Sequence, residues 1–441
     1  MSQEKKVFVN RWINDPIRKF ISNSAASGIV LFTSALVAII LSNSPWAKDF
    51  HRLWEVKFAI GFNEHYINKS LHYWINDGLM AIFFFVVGLE LKREIMAGEL
   101  RNPRNAILPV VAAIGGMLLP ALIYLIINPT GEAAAGWGIP MATDIAFALG
   151  VLYLLGDRVP VSLKIFLTAI AIVDDLGAVL IIAFFYTSDI NFTSLLVGAI
   201  FMAVLIAANL LGVRKTVFYG VRDIGGLWLA FLMSGVHATI AAVLAAFTIP
   251  AQVRINETLF SRKVSMLLVK FREAEPNDNS LVTPEQLHIL EHIRDVTKGA
   301  LTPLQRLEHA MHPFVAFVVM PIFALCNAGV TLSGDVMQNL LSPVALGIFA
   351  GLLLGKVLGV VGLSTLCLRL RIASLPESLN QRHLLGAGLL SAVGFTMSLF
   401  IAGLAFTDDT IVLQAKLGIL AASVFASIIG YQIIRSAKPM S

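Results

Sequence analysis

Long apolar segments separated by short polar connections repeat along almost the whole 441-residue chain. A helix that crosses a bilayer needs about 20 consecutive, mainly apolar residues. Ten segments meet this requirement, near residues 24–43, 73–91, 105–127, 136–156, 163–186, 192–212, 303–330, 344–368, 383–406 and 411–434. The apolar stretch 216–250 is predicted to form two shorter helices that separate near Ser234-Gly235. The pattern predicts an all-α integral membrane protein, one polytopic domain over 1–441, with about twelve transmembrane helices.

Composition supports this interpretation and excludes most soluble folds. Hydrophobic residues make up 57% of the chain and charged residues only 14%, whereas soluble proteins carry about 25% charged residues. The net charge of +5 is modest and is assigned to loops that set membrane topology, so membrane lipid is expected as surroundings and no nucleic acid as partner. Cys326 and Cys367 lie in apolar runs, where thiols usually act as small hydrophobes. No cofactor is predicted.

The basic residues alternate between successive connections. Lys and Arg are frequent after the second, fourth, sixth and tenth predicted spans and in the long segment 251–302. They are absent from the connections 128–135, 187–191, 331–342 and 407–410. Because positive residues favour the cytoplasmic side, the alternation predicts that both the N- and C-termini are cytoplasmic. Segment 251–302 is then a cytoplasmic insertion between spans eight and nine.

Two polar segments have predictable local structure. In the insertion, Thr283-Pro284-Glu285-Gln286 is typical of a capping box with proline in the first turn. A helix should follow it, with another around 258–272, while 273–282 is either ordered or a partly disordered loop. The outer loop 44–72 departs from the charge rule, and alternation from Trp54 to Gly61 suggests a strand. It is either an ordinary ordered loop or a hairpin that pairs with a second subunit.

Two adjacent acids, Asp174 and Asp175, lie in the middle of the apolar span 163–186. Ionisable residues at this depth are costly and point to function. Neighbouring helical residues point about 100° apart, so one acid can face water while the other meets a partner. Carboxylates suit small hard cations, and a buried carboxylate also holds a proton more tightly. Such a site binds cation or protons in competition, which is the basis of antiport; the alternative is a polar pair that only joins helices.

Two spans contain interruptions. In 138–150, Gly138, Pro140 and Thr143 indicate a helix that breaks near the midplane, where Asp144 can compensate the positive helix ends. The second interrupted span, 386–398, contains several glycines and serines. Glycines also serve close helix packing, so the second signal is the weaker one.

Other charged residues near the predicted membrane helices have two interpretations each. Lys356 lies within the span 344–368 and either pairs with Asp174 or Asp175, with or without a part in proton coupling, or is a fixed structural cation. A second group lies at the cytoplasmic ends of spans two and nine and is either a pH-response region or ordinary interfacial charge. This group consists of Glu90, Arg93, Glu94, Glu308, His309 and His312.

Taken together, these motifs resemble the NhaA family of sodium/proton antiporters. The matching segments are 75–94, Ala142-Thr-Asp-Ile-Ala-Phe-Ala-Leu-Gly150, Ile172-Val-Asp-Asp-Leu-Gly-Ala178, 234–239, Arg306-Leu-Glu-His-Ala-Met-His-Pro313, 326–330, 355–356 and 393–398, in family order. The resemblance implies an inverted repeat that pairs spans 3–5 with 10–12, with two broken, crossing helices; NhaA is itself a type example of this arrangement.

The resemblance also implies roles for individual residues. Asp175 would be the main cation ligand, and Asp174 the second carboxylate, in a proton-coupled ion pair with Lys356. Thr143 and Asp144 would lie where the broken helices cross. Glu90, Arg93, Glu94, Glu308, His309 and His312 would form the pH-response region.

The resemblance further implies extrusion of one Na⁺ or Li⁺ for about two protons, by a pH-regulated homodimer in a bacterial inner (plasma) membrane. The insertion 251–302 departs from the short connection of the family and adds charge close to Glu308 and His309.

There are three alternatives to antiport. A sodium-coupled organic-anion symporter of related fold would not need proton-binding carboxylates, and a channel would not need an acid pair with a buried lysine. An enzyme is not predicted, because G-x-S-x-G and H-E-x-x-H motifs are absent from the sequence.

Overall fold

The computed structural model of the protein describes residues 24–62, 65–187, 190–274, 281–332, 335–376 and 378–437. In chain order its elements are α1 (Ser24–Ser42), α2 (Ala47–Glu55), β1 (Lys57–Phe62), β2 (His65–Ser70), α3 (Leu71–Ala97), α4 (Pro103–Ile127), α5 (Ile145–Tyr153), α6 (Val161–Phe185), α7 (Phe192–Leu210), α8 (216–232), α9 (Ala238–Thr248), α10 (Glu257–Glu273), α11 (Pro284–Ala300), α12 (Pro303–Asn327), α13 (Val336–Leu340), α14 (Pro343–Arg369), α15 (Gln381–Ser391), α16 (Phe395–Ala405) and α17 (Asp409–Ser436). Short 3₁₀ turns follow α3 and α5, and a 3₁₀ helix, Glu132–Met141, leads into α5.

The predicted membrane segments all have helical counterparts. Within the described residues, nine helices are long and apolar enough to cross a membrane, with α15 and α16 counted as one. The bent pair formed by Glu132–Met141 and α5 makes a tenth. The two shorter helices expected around Ser234-Gly235 are α8 and α9. The prediction of an all-α multi-pass membrane protein is therefore confirmed.

The outside of the bundle is apolar, unlike the surface of a soluble protein. On α7, Leu196 is 64% exposed and Leu210 is 83% exposed. Phe184 near the end of α6 is 78% exposed. Contiguous exposed apolar surface of this kind needs an apolar surrounding, and lipid chains supply it.

Glycines allow the inner helices to approach closely. Gly115 of α4 faces Gly359 of α14, and a Cβ atom on Gly359 would lie only 2.1 Å from the carbonyl oxygen of Gly115. Gly28 of α1 and Gly150 of α5 meet in the same way. Small residues at such crossings strengthen packing inside a membrane, where no hydrophobic effect drives helices together.

The broken helices occupy equivalent places among their neighbours. The first, Glu132–Met141 with α5, packs against α4 and α6. The second, α15 with α16, packs against α14 and α17. Each broken helix is thus flanked by two long continuous ones, which is the arrangement that the predicted repeat requires.

The polar segments are ordered where the structure describes them. Strands β1 and β2 form an antiparallel hairpin that pairs Lys57 with Ser70 at its base. In the insertion, α10 packs on α11, and the capping box between Thr283 and Gln286 is formed in both directions. Residues 275–280 of the predicted loop 273–282 lie outside the described residues.

Candidate ion-binding site

The two broken helices cross at their interruptions. The first breaks at the extended residues 142–144, and the second at 392–394. The backbone N–H of Asp144 donates to the carbonyl of Val393 at 2.7 Å. One main-chain hydrogen bond therefore joins the two breaks directly.

Asp144 caps two helices at once. Its carboxylate accepts hydrogen bonds from the Phe147 N–H at 3.0 Å, in the first turn of α5. It also accepts from the N–H and the hydroxyl of Thr396, at 3.0 and 2.5 Å, in the first turn of α16. Helix N-termini carry partial positive charge and unpaired N–H groups. The carboxylate of Asp144 therefore lies at the positive ends of both helices, where the sequence predicts that it compensates them. Thr396 was not singled out from the sequence, although it lies beside the interruption at Gly394.

The backbone carbonyls freed by the breaks also find partners. The hydroxyl of Thr143 lies 2.7 Å from the Ser391 carbonyl, at the end of α15. The hydroxyl of Ser398 donates to the Ile139 carbonyl at 2.8 Å. Irregular backbone at membrane depth is tolerated only when such groups are paired, so these side chains make the crossing possible.

Asp174 and Lys356 form an ion pair in the interior. Both side chains are inaccessible to solvent, and the Lys356 ammonium contacts Asp174 Oδ2. The same ammonium donates to the hydroxyl of Thr143 at 2.9 Å, and that hydroxyl lies 2.7 Å from Asp174 Oδ2. Of the two partners left open for Lys356, the structure selects Asp174.

The hydroxyl of Thr143 has a choice of acceptor. Asp174 Oδ2 and the Ser391 carbonyl oxygen both lie within hydrogen-bond distance of it. A hydroxyl carries a single proton, so it can donate to only one of these oxygens while it accepts from Lys356. The protonation state of Asp174 and the hydrogen bonding of the helix break are therefore linked through one side chain.

Asp175 lies beside this network without joining it. It is 1% exposed, and its Oδ1 atom has no hydrogen-bond partner among the described residues. The Oδ1 atom of Asp174 is likewise unpartnered there. Buried polar atoms are nearly always paired, so an exception calls for a functional explanation. Two such oxygens on neighbouring carboxylates are suitable for holding a hard cation or protons.

The charged residues predicted at the cytoplasmic ends of spans two and nine also meet. Arg93 of α3 pairs with Glu94 and with Glu308 of α12, each at 2.8 Å. Glu90 is close enough to interact electrostatically with Glu308 and with Asp175.

A cavity of about 900 Å³ adjoins this cluster and includes His309, His312 and Glu308 in its lining. The structure therefore brings together the six residues of the predicted pH-response region. Among the described residues, neither histidine has a hydrogen bond or ion pair with Asp174 or Asp175. Both histidines instead line the cavity beside Glu308.

Crossing broken helices around buried carboxylates in a multi-pass bundle define a secondary ion transporter. A family model described as Na⁺/H⁺ antiporter 1 matches residues 18–434. The chain is 51% identical over 421 residues to the Na⁺/H⁺ antiporter NhaA of Oleidesulfovibrio alaskensis, covering 95% of this chain and 93% of that protein. It is 48% identical to Na⁺/H⁺ antiporter NhaA 1 of Saccharophagus degradans, with 94% and 90% covered. It is 49% identical to the NhaA of Acidithiobacillus ferrooxidans, with 94% and 96% covered.

The chain therefore belongs to the Na⁺/H⁺ antiporter 1 family, and it is a multi-pass membrane protein that exchanges Na⁺ for protons. The resemblance read from the sequence motifs is confirmed. The names of the relatives favour antiport over organic-anion symport, and the family is one of transporters.

Proposed function

We propose that this antiporter extrudes Na⁺ or Li⁺ at the Asp174–Asp175 pair, taking up about two protons for each ion because two carboxylates can carry two protons. The proposal rests on two buried carboxylate oxygens, Oδ1 of Asp174 and Oδ1 of Asp175, which have no hydrogen-bond partner among the described residues. Asp175, which has no ion-pair partner among the described residues, acts as the main cation ligand. Asp174 acts as the second carboxylate, and its bond to Lys356 responds to the charge of the site.

The proposed cycle alternates between a proton-loaded and a cation-loaded site. With protons bound, the acids carry no charge; with a cation bound, the cation offsets one negative charge of the pair and Lys356 offsets the other. An empty, doubly ionised site keeps its uncompensated charge, and charge in a medium of low dielectric constant is expensive. The loaded site therefore permits the broken helices to move against the rest of the bundle, while the empty site resists the movement.

Thr143 couples the load to the crossing in this scheme. When Asp174 is ionised, it attracts the Thr143 proton, and the Ser391 carbonyl gives up that donor. When Asp174 is protonated, the hydroxyl is released to donate to Ser391, which ends α15. The distances that support this exchange are 2.7 Å to each acceptor. Binding of protons thereby changes the bonding of the second broken helix.

The cytoplasmic cluster is proposed to make transport respond to pH. Arg93 links α3 to α12 through Glu308, and His309 and His312 line the adjoining cavity together with Glu308. Protonation in this cluster changes how firmly α3 and α12 are joined. Glu90 transmits the change, because it interacts with both Glu308 and Asp175.

The proposed setting is a bacterial inner (plasma) membrane, with both termini and the insertion 251–302 on the cytoplasmic side. The support is the distribution of Lys and Arg among the connections. A homodimer formed through the hairpin in 44–72 completes the proposal. A two-stranded hairpin is at best marginally stable by itself, so β1 and β2 gain from a partner.

Everted membrane vesicles with a pH-sensitive dye test the site. We expect Asp175→Asn to abolish Na⁺- and Li⁺-dependent proton movement, because the amide carries no charge to bind the cation and takes up no proton. Asp408→Asn is the matched control, since it removes an exposed carboxylate that caps α17 and should leave transport intact. Full activity in the Asp175→Asn vesicles would show that the site is wrongly assigned.

The same vesicles, measured over a pH series with Na⁺, Li⁺ and K⁺, test ion preference and the pH-response region. Glu308→Gln removes the acid that joins α12 to Arg93 and should shift the pH profile while antiport persists. A profile that does not move would rule out the cytoplasmic cluster as the sensor.

A further inference from the structure

Helix α10 has two apolar faces, and the described residues of the chain cover only one of them. Phe260, Val264 and Phe271 lie on the half-buried side that packs toward α11. On the opposite side, Leu259 is 40% exposed, and Met266 and Val269 are each 52% exposed. We call this second side the outer face of α10. It consists of Leu259, Arg262, Met266, Val269, Lys270 and Glu273.

The outer face forms a continuous stripe along the helix. At 100° per residue its members fall within about 100° of one another. Arg262, Met266, Val269 and Lys270 also line a shallow depression of about 470 Å³, together with Ser265 and Glu273. A solvent-exposed amphipathic face of this kind is suited to a partner that binds apolar and basic side chains together.

The insertion is joined to the membrane bundle at its base. It begins just after α9 and ends just before Pro303, the first residue of α12. The N–H groups of Arg254 and Ile255 donate to the carbonyl of Gly299 at 3.0 Å, which closes its base. Both flanking helices are membrane segments, so only a few residues separate α10 from the level of the lipid headgroups.

Charge is distributed unevenly between the two helices of the insertion. Helix α10 contains four basic residues, Arg262, Lys263, Lys270 and Arg272, against the acids Glu257 and Glu273. Helix α11 contains Glu285, Glu291 and Asp295 against Arg294 and Lys298. The excess of positive charge thus lies on the helix with the open apolar face, which is complementary to an anionic surface.

We propose that the outer face of α10 binds the anionic phospholipid headgroups of the surrounding bilayer. Met266 and Val269 enter the boundary between headgroups and acyl chains, as the apolar side of an interfacial helix does. Arg262 and Lys270 place their hydrocarbon stems along that apolar surface and their charges on the phosphates. The insertion is then a lipid-dependent attachment that steadies the cytoplasmic ends of α9 and α12.

Site-directed spin labelling of the full-length protein in lipid vesicles tests whether the outer face of α10 binds anionic lipid. The two cysteines, both buried, are first replaced by alanine, and antiport is verified. A single cysteine is then introduced as Met266→Cys on the outer face, or as Glu291→Cys for the control. Glu291 is about half exposed and lies roughly 200° round α11 from the buried Ile289.

Each label is compared in vesicles of phosphatidylcholine alone and in vesicles that also contain phosphatidylglycerol. With phosphatidylglycerol, we expect the label at position 266 to become more accessible to oxygen, which concentrates in the bilayer, and less accessible to a water-soluble nickel complex. The label at position 291 should stay accessible to the nickel complex in both lipids. Added salt should reverse the change at 266 because it screens the headgroup charge.

A variant without two of the basic residues measures how much their charge contributes to lipid binding. Each basic side chain near an anionic surface strengthens binding by about fivefold. The double variant Arg262→Gln/Lys270→Gln should therefore lower the ratio of bound to free helix by roughly 25-fold, as read from the label at 266. Antiport should persist in it, because neither residue belongs to the ion site, so a failure of this test is distinct from a failure of the proposed function.

Two results would overturn the proposal. The first is a label at 266 that is equally accessible to the nickel complex with and without phosphatidylglycerol. The second is a label shielded from both reagents whose shielding grows with the ratio of protein to lipid, since that would identify a second copy of the chain as the occupant.

Discussion

At the scale of single residues, the site contains one lysine and two adjacent acids, and the two acids differ in their partners. Asp174 has its charge matched by Lys356, whereas Asp175 has neither an ion pair nor, at Oδ1, a hydrogen bond among the described residues. Adjacent positions on one helix thus provide one carboxylate that is paired with Lys356 and one that has no ion pair among the described residues. Their separation by about 100° around α6 produces this division.

The ion pair leads to a prediction about stability. Removing one partner of a buried pair leaves a charge without compensation, which costs roughly 3–5 kcal/mol. Lys356→Met should therefore lower the unfolding temperature of the purified protein in detergent. The double variant Lys356→Met/Asp174→Asn should recover much of the loss, because no unpaired charge is left behind. Additive losses in the two single variants and the double variant would contradict a direct pair.

At the scale of elements, close backbone contacts fix how α4 and α14 cross. The carbonyl oxygen of Gly115 and the position of a Cβ atom on Gly359 are incompatible, and backbone cannot rotate aside as a side chain does. Because Lys356 lies on α14 one turn before Gly359, the same crossing sets the place of the ammonium group.

Two glycines of α14 provide a matched test. Gly359→Ala should destabilise the protein by more than about 1–3 kcal/mol, the range for overpacking by a small group, because the clash is with backbone. Gly362→Ala on the same helix has no atom within 4 Å of the added Cβ and should be neutral or slightly stabilising. Unfolding temperatures in detergent compare the two. If both variants changed the unfolding temperature equally, helix propensity, and not the contact with the backbone of α4, would explain the effect.

The conformation of the first broken helix depends on contacts with neighbouring helices. The sequence predicted a break near Thr143, but not that the preceding residues Glu132–Met141 form a 3₁₀ helix. Tyr124 and Tyr186, from α4 and the end of α6, donate their hydroxyls to the carbonyls of Ala133 and Ala135, each at 2.7 Å. A 3₁₀ segment of this length is uncommon, and these tertiary bonds help to hold it.

At the scale of the whole molecule, the hairpin is the part best placed to join two copies. Its strands leave outer edges unpaired in the described chain, and unpaired edges readily bind further strands. Phe58 is 56% exposed, while the Trp74 indole donates to the Phe58 carbonyl at 2.9 Å and fastens the hairpin to α3. The hairpin is therefore exposed on the surface and fixed to α3.

Deleting the hairpin tests the proposed dimer. Replacing residues 57–70 by a short glycine–serine linker should convert the protein to a monomer, because the pairing edges are lost. Size-exclusion chromatography with light scattering measures the mass in detergent, and vesicle assays should show that antiport per chain persists. A dimer that survives the deletion would place the interface elsewhere.

The sequence by itself determined the membrane residence, the helical segments, the two breaks and the presence of Asp144, Asp174, Asp175 and Lys356 within the apolar segments. These follow from local pattern, because a bilayer demands long apolar helices and tolerates charge or irregular backbone only at special places.

Tertiary structure decided which groups meet. Lys356 and Asp174 are 182 positions apart in the chain, and Thr396 reaches Asp144 across 252 positions. No local pattern specifies partners at such separations, since they depend on how the helices pack. The choice of Asp174 over Asp175 for Lys356, and the capping of two helices by Asp144, therefore became visible only in the folded molecule.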